Sequence, residues 1–143
     1  MYRVMEIIDK QLLNDLSSEV RTSPRLRMNH NFHHSLDEKC HRFLNALEPG
    51  TSIPIHHHPT KDETVIFLKG KVRVLTYNDS GEILEDQLLS LDNSHYGVNI
   101  PKNVWHTIQC VESAILFECK EGPFVEHEVE GVLEVGEKFG KHP

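Results

Sequence analysis

The chain has 143 residues, 38% of them hydrophobic, enough for one packed core, so a single site is expected rather than a cleft between domains. Its 22 acidic residues against 15 basic ones leave a formal charge of -7, which offers no electrostatic footprint for nucleic acid or for an anionic membrane surface. No apolar run approaches the roughly 18 to 20 residues that cross a bilayer, and MYRVMEIIDKQLL carries acids where a signal peptide would be apolar. A cytoplasmic protein without nucleic-acid or membrane partners is expected.

Residues 6–20, EIIDKQLLNDLSSEV, place Ile7, Ile8, Leu12, Leu16 and Val20 at helical spacing, with Asp9 able to cap a start and Pro24 blocking continuation. One N-terminal helix is predicted within residues 5–22. The next stretch, RLRMNHNFH, changes period: Arg25, Arg27, Asn29, Asn31 and His33 share one face of an extended segment, and Leu26, Met28, His30 and Phe32 share the other. Arg27, Asn29, Asn31 and His33 are candidate substrate-binding residues, forming a polar wall able to hold hydroxyls, a carboxylate or a phosphate. The alternative is an edge strand that shows its polar face to water.

From residue 42 onward, short strands are punctuated by turns. RFLNALE stops at Pro49 and Gly50, and TVIFLKGKVRVLTY runs into the hairpin signal Asn78, Asp79, Ser80 and Gly81. EILEDQLLSL ends near Asp92 and Asn93. VWHTIQCV and AILFEC read as two strands broken at Glu112 and Ser113, and the second is closed off by Gly122 and Pro123. Many short strands at near-regular spacing predict an all-β domain with one helix, a small antiparallel β-barrel or jelly roll over residues 25–125. Residues 126–143 form an acidic tail, and no repeat or linker divides residues 1–143 into more than one domain.

Cys40, Cys110 and Cys119 are odd in number and lack CxxC spacing, so reduced, buried cysteines are expected rather than a disulfide framework or zinc ribbon. Histidine stands out, with 11 copies, because imidazole is the commonest protein metal ligand. In GTSIPIHHHPTKDETVIFLKG, alternate residues of a strand share a face, so His56 and His58 can converge on one ion while His57 points away. Glu63 follows the turn Pro59 to Asp62 and can add a carboxylate oxygen from the next strand. In IPKNVWHTIQC, Pro101 and Asn103 mark a turn, with asparagine tolerating the left-handed conformation, and His106 then enters a distant strand as a fourth ligand. Imidazoles plus one carboxylate suit one divalent transition metal ion, Fe, Mn, Ni, Co or Zn, and not a calcium cage built of oxygens. Glu118 and Lys120 alternate with Leu116, so one of them, with Glu118 as the candidate, can point into the barrel, the alternative being a solvated pair, and Tyr96 and Trp105 are weaker candidates to stack on a sugar.

The first segment matches G-x5-H-x-H-x4-E-x6-G at every fixed position, from Gly50 through His56, His58 and Glu63 to Gly70, and so resembles the first motif of the cupin superfamily. The second motif, G-x5-P-x-G-x2-H-x3-N, is met at Pro101 and His106, with Asn103 at the inner glycine and Cys110 at the final asparagine. Its first glycine is either replaced by His95 or supplied by Gly97 after a shorter turn. The runs SPRLRMNHNFH, LNALEPGT, YGVNIPKNVWHT and FECKEGP resemble the WbuC family of cupin-fold metalloproteins over residues 5–125. That resemblance implies a setting in surface-polysaccharide metabolism and a carbohydrate-like small-molecule ligand, without defining a reaction, and small cupins suggest a homodimer. Three readings stay open: a metal-dependent sugar isomerase or epimerase, a non-catalytic saccharide-binding or sensing module, and an Fe(II) dioxygenase.

Overall fold

The computed structural model describes residues 4–124 and 131–132. Among the described residues there is one α-helix, α1, which spans Lys10–Val20. The Asp9 carboxylate accepts a hydrogen bond from Leu12 N at 3.0 Å, so it satisfies a first-turn amide and sets the helix start. The helix is therefore shorter than residues 5–22: Ile7 and Ile8 precede the cap and lie exposed, outside the apolar stripe to which their spacing assigned them.

Eight strands follow among the described residues: β1 Arg27–Asn31, β2 Cys40–Leu47, β3 His56–His57, β4 Glu63–Tyr77, β5 Ile83–Ser90, β6 Gly97–Ile100, β7 Trp105–Glu121 and β8 Gly131–Val132. All pairings are antiparallel. The long strands β4 and β7 run side by side from Glu63 opposite Lys120 to Tyr77 opposite Trp105. The order β1-β2-β7-β3-β8 branches from β7 to β4, which carries β5 and β6. This is the antiparallel jelly-roll architecture expected, although its ladder does not close into a ring: among the described residues β1 pairs only with β2, and β5 only with β4. Of the tail, only Gly131–Val132 is described, paired as β8 with His57 and His56; the rest of residues 126–143 lies outside the described residues.

The two strands predicted on either side of Glu112 and Ser113 are one. β7 runs through that point, and the irregularity appears instead as register shifts between Phe67 and Val72 of β4. Gly70 sits at these shifts with φ +84°, where a Cβ would overlap the Ser113 carbonyl oxygen. Only glycine accepts both the left-handed backbone and that approach.

The inward faces of β2, β4, β6 and β7 make the main core, with Leu47, Val65, Phe67, Val72, Ile100, Ile108 and Leu116 buried together. On the outer face of β1, β2 and β7, Leu16 and Val20 of α1 pack on Leu44, Ala46 and Ile115, with Met28, Phe32 and Phe117 at the margin. Burying each such aliphatic side chain contributes about 1.5–3 kcal/mol. The helix thus covers the apolar side of β1 and leaves Arg27, half-buried, and Asn29, exposed, on the opposite face. Of the cysteines, only Cys110 is buried in the core as expected; Cys40 is exposed and Cys119 intermediate, their sulfurs 3.7 Å apart on neighbouring strands as free thiols.

Candidate metal centre

His56 and His106 are register partners on β3 and β7, with ring centroids 4.3 Å apart. His58 follows β3, its backbone carbonyl accepting from Asn103 N at 2.9 Å, a bond that ties the two histidine-bearing loops together. Asn103 has φ +64°, so it performs the left-handed turn that glycine would otherwise supply. Gly97, not His95, is the close-approach glycine of this region: a Cβ there would overlap the Val65 carbonyl oxygen, whereas His95 is exposed. Cys110, at the position of the motif's asparagine, is buried and donates its thiol to the Glu112 carbonyl at 3.1 Å.

One imidazole nitrogen from each of His56, His58 and His106 falls in a group whose members all lie within 4.8 Å of one another. His56 Nδ1 donates to the Pro54 carbonyl at 2.8 Å, and His106 Nδ1 donates to the Val104 carbonyl at 2.8 Å. Each ring is held in the tautomer that leaves Nε2 with a lone pair, the second-sphere arrangement that orients metal-bound histidines. His106 Nε2 is buried and has no hydrogen-bond partner among the described residues. A buried orphan acceptor is costly unless something fills the position. Two ligands about 2.1 Å from an ion stand at most about 4.2 Å apart, so movements of a few tenths of an ångström complete the cluster. The residues present therefore fit a divalent transition metal.

Burial keeps the His56 and His106 imidazoles neutral, as ligation requires. Desolvation, reinforced by His106, pulls His56 from 6.5 down to about 4, and desolvation also lowers His106. Glu63, the first residue of β4, places Oε2 3.1 Å from His58 Nε2. Burial alone would raise its pKa, but the hydrogen bond with His58 and the charge of Lys120 hold it well below the usual carboxylate range. Glu118 behaves oppositely: burial first, then the Glu63 carboxylate and a hydrogen bond between the two carboxyl groups, raise it well above 4.5. Glu118 thus holds the proton, while Asn45 Nδ2 donates to its Oε2 at 2.9 Å.

A cavity of about 450 Å³ opens over the histidines, and Arg25, Arg27, Asn29, Asn45, Glu118 and Lys120 supply its polar wall. Arg27, Asn29 and Glu118 thus lie where the alternation pattern predicted. Asn31 and His33 do not line it, because β1 ends at Asn31 and the chain turns away. Asn31 is exposed; His33 is buried elsewhere, accepting from Arg42 N at 3.1 Å and stacked on His41 with centroids 4.4 Å apart. Arg25, Asn45 and Lys120 are polar cavity residues that were not among the candidates, and for Asn45 the alternation of CHRFLNALE, with Phe43, Asn45 and Leu47 on one face, carried the signal. His57 points away from the cluster against Trp105, whose indole nitrogen donates to Asp79 at 3.0 Å, so this tryptophan does not face the cavity. Tyr96 is exposed and also outside the cavity wall.

The fold is that of the cupins, and the three-histidine cluster within it fits a metal-binding cupin. Its architecture is similar to oxalate decarboxylase from Lactobacillus farciminis, at 20% identity and TM-score 0.52 over 67% of this chain and 27% of that one. It is similar also to the capsular polysaccharide assembling protein CapF from Staphylococcus aureus, at 22% identity and TM-score 0.61 over 80% of this chain and 33% of that one. The Cnp3 cupin domain of Schizosaccharomyces pombe matches at 10% identity and TM-score 0.54, over 66% of this chain and 64% of that one. The chain thus spans a third or less of the first two proteins, and at these identities the likeness shows the fold alone. Residues 8–89, more than half of the chain, match the family described as Domain of unknown function (DUF6016), and the chain belongs to that family. No curated protein matches it. Among the described residues, no helix is long and apolar enough to cross a membrane.

Proposed function

We propose that this protein holds one divalent transition metal with His56, His58, Glu63 and His106 and acts on a small carbohydrate-like molecule as an isomerase or epimerase. The observation that carries this reading is the convergence of three histidine nitrogens within 4.8 Å beneath a polar cavity. When bound, such an ion supplies Lewis acidity that makes a neighbouring C–H or O–H of the substrate easier to deprotonate. The chain's own residues do the rest. Glu63 and Glu118 form a carboxylate and carboxylic acid pair, and Glu118, oriented by Asn45, holds a proton at the cavity wall, the arrangement that general acid–base chemistry requires. Arg27 and Asn29 offer donors for substrate oxygens. The resemblance to the WbuC family supports a place in surface-polysaccharide metabolism, and CapF is itself named as a capsular polysaccharide assembling protein.

The test is metal analysis of protein purified without chelators or nickel resin, followed by a screen of sugars and nucleotide sugars for isomer change. One equivalent of metal and a converted sugar are expected, with both lost in His106→Ala. Outer-sphere partners of a metal already account for ~10–100-fold in affinity, so removing a ligand is expected to cost at least that. A bound saccharide recovered unchanged would instead make the protein a non-catalytic binding module. Dioxygen consumption with an iron-loaded sample would move the chemistry to oxygenation.

A further inference from the structure

The net charge of the chain is -7, yet three of its cations, Arg25, Arg27 and Lys120, line one cavity. Among the described residues none of the three makes a salt bridge. Arg27 Nε is buried with no hydrogen-bond partner there, although a guanidinium taken out of water needs acceptors. The acids of the cavity do not supply them: Glu63 is engaged by His58, and Glu118 by Asn45. Lys120 lies 5.9 Å from the centre of the Phe43 ring, a contact that leaves its three donors available. The cations come from two walls, Arg25 and Arg27 from the β1 side and Lys120 from β7, where it stands opposite Glu63 in register.

Three cations at one cavity with no salt-bridge partner among the described residues, one with a buried unsatisfied donor, describe a site whose missing partner is an anion. We infer that the cavity takes an oxyanion-bearing small molecule, a hydroxy acid or a sugar phosphate, with its carboxylate or phosphate against Arg25, Arg27 and Lys120. This inference rests on the proposed metal function for the other end of the ligand, whose hydroxyl or carbonyl oxygens would face the histidines. A cavity of about 450 Å³ has room for one such molecule, of monosaccharide size. The arginines would thus select charged over neutral sugars.

Calorimetric titration of the full-length protein tests this, using inorganic phosphate, glucose 6-phosphate, tartrate and glucose as probes. In metal-free protein, phosphate is expected to bind, with affinity reduced at least tenfold in Arg27→Gln and partly retained in Arg27→Lys. An unchanged melting temperature of the glutamine variant will show that its fold is intact, and Lys120→Gln provides a second variant should it not be. With metal present, glucose 6-phosphate or tartrate is expected to bind at least tenfold more tightly than glucose, and whichever is preferred identifies the oxyanion. Phosphate binding that is indifferent to both substitutions, or glucose binding as tightly as its phosphate, would overturn the inference even if the metal is bound. Substitution-sensitive phosphate binding in a protein that takes up no metal would overturn the metal reading and leave the oxyanion site standing.

Discussion

At the scale of single residues, His56 and His106 are set by the same device, a ring N–H given to the carbonyl two residues earlier, which fixes the ring without a carboxylate partner. Burial then keeps both rings neutral, and this has a consequence for stability. The unfolded chain protonates His56 near its ordinary 6.5, whereas the folded metal-free protein resists until about 4. Below 6.5 the unfolded state therefore binds more protons, so this part of the stability is complete above that pH and is lost as pH falls toward 4. Glu63 acts in the same direction at lower pH: its depressed pKa stabilises the folded state above its ordinary 4.5 and ceases to do so as pH falls through the folded value. Glu118, which keeps its proton when folded, works in the opposite direction over this range, so the test is made in Glu118→Gln, whose metal-free urea midpoint is expected to be lower at about pH 5 than at about pH 7.5. An equal or higher midpoint at the acid pH would contradict the neutral, buried state of these rings.

At the scale of elements, the paired long strands β4 and β7 hold the site in place, because Glu63 begins one and His106 lies near the start of the other. Their ladder shifts register around Gly70, which presses on Ser113 with φ +84°. Gly70→Ala meets both a forbidden backbone and an overlap with backbone, and is expected to cost about 1–3 kcal/mol or more, read as a fall in melting temperature. A wild-type melting temperature would show that this crossing can relax. The polar pair Glu112 and Ser113 looks like a break because a turn and a mid-strand irregularity use the same residue types. Only the partner strand decides between them. The helix start shows the same limit: Ile7 and Ile8 continue the apolar spacing, but the cap formed by Asp9 overrides it.

At the scale of the whole molecule, metal binding and folding are linked, since the unfolded chain does not assemble the three histidines. A metal at a hundred times its dissociation constant stabilises the folded state by about 2.7 kcal/mol, which for a domain of this size is a rise in melting temperature of roughly 5–10 °C. Differential scanning fluorimetry with a panel of divalent ions is expected to show that rise, reversed by chelator and absent in His106→Ala. No shift with any transition metal would count against the site. The same global arrangement concentrates Arg25, Arg27 and Lys120 at one cavity of an acidic chain, a charge separation that net composition hides.

The spacing of His56, His58, Glu63 and Gly70, and the alternation of Arg27 and Asn29, are local properties, and strand periodicity alone made them legible along with the class of fold. What lay between strands was not. That His33 leaves the polar face, that Asn45 joins it, and that Glu118 shares a proton with Glu63 depend on where β1 ends and on register between β2, β4 and β7. Side-chain direction is written into a strand by its period of two, whereas register, strand length and the covering of one face by α1 are settled only when separate segments pack against one another.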